Sequence, residues 1–166
     1  MKTKIVLYYL LLAFVIMLPI KSWSHCEIPC GIYDDQARVN LISEHITTIE
    51  KSMNQITALS AEGEKNYNQL VRWINNKEEH ADKLMEIVTQ YFMTQRLKPV
   101  EQGQTKEYKA YFTQLTLLHE MLVSAMKCKQ TTDLAHTEKL KELLEKFKES
   151  YFGKEGHFDK SLLKKQ

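Results

Sequence analysis

Past Tyr33 the chain keeps one rhythm of apolar and polar positions. Val39, Ile42, Ile46, Ile49, Met53 and Ile56 recur at steps of three and four. That period puts them on one face of an α-helix. Asp34 and Asp35 mark its start, since acids favour a helix amino end. The pattern ends in a turn at Ser60–Gly63. A second helix is predicted from about Glu64 to Arg96, with Leu70, Ile74, Ala81, Leu84, Val88 and Tyr91 as its stripe. Pro99 and Gly103 punctuate the connection to the next helix. That third helix runs from about Thr105 to Lys127, carrying Tyr108, Tyr111, Leu115, Leu118, Leu122 and Ala125 on one face. Thr131, Thr132 and Asp133 are cap-type residues that open a fourth. The fourth helix buries Leu140, Leu143, Leu144, Phe147 and Tyr151. From residue 153 to 166 the period is lost and lysines gather, which predicts a loose or partner-bound tail. Four amphipathic helices without a strand pattern predict an all-α, up-and-down four-helix bundle over residues 34–152. Met53, Trp73, Met85 and Met121 lie in the apolar stripes and read as core.

The first 24 residues break this rhythm. Lys2 and Lys4 precede an almost wholly apolar run from Ile5 to Ile20. Ser22 and Ser24 stand three positions and one position before the bond to His25. This is the layout of a signal peptide over residues 1–24, cut by signal peptidase. The run is short of the roughly 20 residues that span a bilayer, so a cleaved leader is expected rather than an anchor. The expected product is exported, periplasmic or secreted, and free of the membrane after cleavage. It keeps 142 of the 166 residues, enough for one core.

Processing also changes the charge. The whole chain carries 23 basic and 21 acidic residues. The leader removes three lysines and no acid, leaving 20 basic against 21 acidic. No basic stripe survives, which argues against a nucleic-acid partner. Three cysteines remain, Cys26, Cys30 and Cys128. In an oxidising compartment Cys26 and Cys30 either pair with each other or hold a metal, and the count alone does not decide.

The chemistry concentrates in residues 25–33, His-Cys-Glu-Ile-Pro-Cys-Gly-Ile-Tyr. These residues come directly after the predicted cut. Cleavage gives His25 a free α-amine beside its imidazole. Cys26 offers a backbone amide nitrogen and a thiolate, and Cys30 a second thiolate. Pro29 and Gly31 suit a tight reversal that returns Cys30 toward Cys26. Nitrogen and sulfur donors in square-planar geometry suit nickel(II) or copper(II).

The segment HCEIPCGIY resembles the HCxxPCGxY signature of the nickel superoxide dismutase family. Beyond these nine residues the resemblance is looser but spans the mature chain, including the run at 34–38 and the segment Lys77-Glu78-Glu79-His80. The resemblance implies an amino-terminal hook, disordered until it orders around one nickel ion per subunit. The His25 amine, the Cys26 amide nitrogen and sulfur, and the Cys30 sulfur would hold nickel(II). The His25 imidazole would bind axially in nickel(III). Tyr33 would stand over the open face and order substrate, with backbone amides near Glu27 and Cys30 facing the anion. It also implies a cis peptide before Pro29, superoxide as substrate, turnover through a nickel(III)/nickel(II) cycle, and a homo-oligomer, namely a hexamer. Two thiolates and an anionic amide donate the charge that makes nickel oxidisable, and neighbouring contacts tune it.

Two positions depart from the family. Its members often hold the histidine ring with a glutamate from the first helix and an arginine from the second. Here Asn40 and His80 stand there, so an uncharged pair or a water would orient the ring.

Other clusters carry less. His45, His80, His119, His136 and His157 are scattered without an HExxH spacing. Glu44, Glu50, Glu78 and Glu79 do not complete the Glu-x-x-His pairs of a di-iron bundle. Cys128 reads as a single thiol. Two rival readings stay open: an exported nickel- or copper-binding helical protein without turnover, and a structural bundle with a Cys26–Cys30 disulfide.

Overall fold

A computed structural model of the protein describes residues 31–103 and 105–153. The leader and residues 25–30 of the hook lie outside them, as does the tail beyond Gly153. Among the described residues four α-helices succeed one another: α1 Asp35–Ala61, α2 Tyr67–Glu86, α3 Lys106–Gln130 and α4 Ala135–Phe152. There is no strand among the described residues. None of their helices is long and apolar enough to cross a membrane.

Asp34 caps α1, its carboxylate accepting the Ala37 N–H at 2.9 Å. The helix ends where Gly63 takes a positive φ of 78°. A side chain there would be strained by conformation rather than by crowding, since a Cβ would meet nothing within 4 Å. Thr105 caps α3 by accepting the Tyr108 N–H. Asp133 accepts the Ala135 N–H at the entry to α4.

The helices pack in a closed ring: α1 along α2, α2 against α3, α3 along α4, and α4 back against α1. All six apolar residues of the α1 stripe are buried. Five of them, Val39, Ile42, Ile46, Ile49 and Met53, form one core with Ala81, Leu84, Val88 and Phe92, then Leu118, Met121 and Ala125, then Leu140, Leu143, Leu144 and Phe147. Each fully buried Val, Leu, Ile, Met or Phe side chain among them contributes on the order of 1.5–3 kcal/mol.

The second predicted helix is divided. A 3-10 turn at Glu64–Asn66 precedes α2, and after Glu86 the helix changes to a π-helix at Ile87–Arg96. The Leu97 N–H closes this segment on the Phe92 carbonyl five residues back, at 2.8 Å. Side chains reinforce the wider turn. Thr94 Oγ1 donates to the Thr89 carbonyl and Gln95 Nε2 to the Gln90 carbonyl, each again five residues apart.

Part of the α2 stripe is not core. Ile74 is 38% exposed, while Lys77 is only 4% exposed. The lysine crosses to α3 and donates to the carbonyls of Cys128 and Lys129 at 2.7 and 2.5 Å. It thus satisfies two of the orphan acceptors at a helix carboxyl end, where a cation is also favoured.

Candidate active site around Tyr33

Tyr33 is the one residue of the predicted ligand and substrate set that the structure describes. It is half-buried, and its ring packs against the core. Two side chains of the π segment hold it. The edge of Tyr91 meets it with centroids 5.9 Å apart, and the Arg96 guanidinium lies 4.3 Å over its face. Arg96 is itself anchored. Its Nε and Nη2 donate to the two carboxylate oxygens of Asp35, both at 2.8 Å.

Asp35 is the hub of this cluster. It opens α1 yet is 2% exposed. Besides Arg96 it accepts the Tyr91 hydroxyl at 2.7 Å and the Tyr151 hydroxyl at 2.9 Å. Four charge-assisted hydrogen bonds offset the cost of burying a carboxylate. Burial, then the carboxylate itself, pushes the Tyr91 and Tyr151 hydroxyls well above the ordinary tyrosine range, so both stay protonated donors. Burial opposes the charge on Arg96, but its bonds to Asp35 outweigh that and keep it a cation.

The π segment makes this geometry possible. Tyr91 and Arg96 are five residues apart, which an α-helix at about 100° per residue would place about 140° apart. The i→i+5 repeat turns them toward one side, and both reach Asp35.

The two residues expected beside the His25 ring have these partners among the described residues. Asn40 is exposed and accepts a hydrogen bond from Gln36 Nε2 at 3.0 Å. His80 meets His45, with Nδ1 atoms 2.9 Å apart and rings edge-to-face. One ring must donate and the other accept, so at most one can be charged. Burial first lowers the pKa of both; for His45 the charges of His80 and Lys83 add, and for His80 that of Lys83. Glu44 and Glu79 act weakly the other way.

His25, Cys26, Glu27 and Cys30 lie outside the described residues. Gly31, next to Cys30, has a positive φ of 80°, which glycine adopts without strain. The family model for nickel-containing superoxide dismutase matches residues 21–155, which spans hook and bundle alike. The chain belongs to the nickel-containing superoxide dismutase family. No curated protein and no solved structure matches it. As a member of the nickel-containing superoxide dismutase family it is an oxidoreductase acting on superoxide, with nickel as its metal.

The donor set fits that metal. Among the described residues no three His, Cys, Asp or Glu side chains gather to hold an ion. Cys128 is buried, and burial pushes its thiol up to about 11, so it supplies no ready thiolate. The soft donors expected for nickel, Cys26 and Cys30 with His25, lie outside the described residues.

The sequence reading missed Asp35, Arg96, Tyr91 and Tyr151 as a unit. Asp35 read as a helix-start acid and Tyr91 and Tyr151 as stripe residues. Only the adjacency of a capping acid to the hook hinted at more.

Proposed function

We propose that the chain works as an exported enzyme beginning at His25, dismutating superoxide to oxygen and hydrogen peroxide. His25, through its α-amine and imidazole, Cys26, through its amide nitrogen and sulfur, and Cys30 would hold the nickel ion. When bound, that ion supplies alternate one-electron oxidation and reduction of superoxide between nickel(III) and nickel(II). Pinned by Arg96 and Tyr91, the Tyr33 hydroxyl offers a hydrogen-bond donor at a fixed place, which serves to order the anion or a water. In this proposal Asn40 and His80 would neighbour the His25 ring, and Glu27 the entering anion.

The observation that carries this reading is the rigid seat under Tyr33, two residues past a complete HCEIPCG donor segment. A homo-oligomer, by resemblance a hexamer, completes the proposal. The exposed α2 stripe of Tyr67, Val71 and Ile74, spaced four and three apart, supports it as an apolar face that a second copy would cover.

Amino-terminal sequencing and metal analysis of protein from its native host test the proposal, together with superoxide consumption by pulse radiolysis. A chain starting at His25 with bound nickel and rapid consumption is expected. Full activity in protein that begins upstream of His25 would overturn it. Bound metal without turnover would favour a carrier. A Cys26–Cys30 disulfide without metal would favour a structural role.

A further inference from the structure

We propose that Arg96 is the positioning residue of Tyr33, and that its ion pair with Asp35 sets where the Tyr33 ring lies. The inference rests on the proposed function, in which the Tyr33 hydroxyl orders the anion or a water. Three observations carry it. The guanidinium lies 4.3 Å over the Tyr33 ring, within the range of a cation–π contact. Its plane is fixed because two of its nitrogens bond the two oxygens of one carboxylate. A bidentate pair of this kind restricts rotation in a way a single contact does not. That carboxylate cannot drift, since the Tyr91 and Tyr151 hydroxyls take its remaining acceptor sites from the π segment and α4.

The chain of constraint therefore runs from the bundle outward. Asp35 of α1, Tyr91 of the π segment and Tyr151 of α4 fix Arg96, and Arg96 with the Tyr91 edge fixes Tyr33. Arg96 brings little free charge to a superoxide ion, because Asp35 neutralises it locally. Its part is geometric, acting through the tyrosine.

The test uses the whole mature protein, nickel-loaded and labelled with 3-fluorotyrosine, the Tyr33 resonance being assigned by its loss in Tyr33→Phe. In Arg96→Met the Tyr33 fluorine resonance should move and superoxide turnover fall roughly tenfold, with nickel content unchanged. Arg96→Lys keeps the charge beside Asp35 and hence the fold, but lacks the flat face, and should move the same resonance. Arg96→Met added to Tyr33→Phe should cost no further activity, because the residue acts through the hydroxyl that is already gone. An unmoved Tyr33 resonance in folded Arg96→Lys, or fully additive losses in the double variant, would overturn the assignment. If the wild-type protein holds nickel but does not consume superoxide, the proposed function fails instead. The fluorine shift then still judges the clamp on its own.

Discussion

Replacing Asp35 by alanine removes the one carboxylate that satisfies Arg96, Tyr91 and Tyr151 together. The pair is well enclosed, with side-chain exposure of 1% for Asp35 and 11% for Arg96. Breaking a buried pair from one side typically costs about 3–5 kcal/mol, because the remaining charge stays uncompensated. Arg96 keeps some access to water, so the lower end applies, about 3 kcal/mol. At about 4 °C per kcal/mol for a domain of this size, the melting temperature should fall about 12 °C. Urea unfolding followed by circular dichroism measures this directly, and an unchanged m-value would confirm that stability alone has shifted. Asp34→Ala is the matched control. It loses only the cap on Ala37 and should cost about 1 kcal/mol. Removing both partners, in Asp35→Ala with Arg96→Met, should cost clearly less than the sum of the single losses. If Asp35→Ala stays within about 0.5 kcal/mol of wild type, or costs no more than Asp34→Ala, the hub reading is wrong.

Four further outcomes are expected. In the reduced, metal-free chain, Cys26 and Cys30 should react quickly with a thiol reagent and Cys128 only after denaturation; three fast thiols would refute its burial. Lys77→Met should lower stability by about 1–3 kcal/mol in urea unfolding, since the carbonyls of Cys128 and Lys129 lose their buried donor. The His45–His80 pair has lowered pKa values, so the unfolded chain binds more protons below its ordinary histidine pKa near 6.5. Its share of stability is present above that pH and is lost as pH falls through the lowered folded values. The gap in melting temperature between pH 7.5 and 5.5 should therefore narrow in His45→Gln/His80→Gln, and an unchanged gap would count against this pair. One alanine retained before His25 should abolish superoxide turnover while leaving the helical signal intact, because the proposed α-amine ligand would become an amide.

Periodicity determined the bundle. Steps of three and four in the α1 stripe place six apolar residues on one face, and all six are buried. The expected hook is a different case, because it lies outside the described residues and is read from sequence alone. Its donors are neighbours in sequence, so no fold is needed to bring His25, Cys26 and Cys30 together, and the family match spans them. What the sequence left open depends on residues far apart. Nothing local distinguishes Asp34, which caps a helix, from Asp35, which bonds groups 56, 61 and 116 positions away. The stripe rule predicted Ile74 as core, but it is left partly exposed among the described residues, whereas Lys77 is buried because α3 ends where the lysine can reach its last carbonyls. The switch from α to π after Glu86 changes the angular period partway along one apolar run, a change the pattern of side chains does not announce. Tertiary structure alone decided these points, because a buried charge is tolerable only where several distant partners converge on it, and such convergence is a property of the packed helices together.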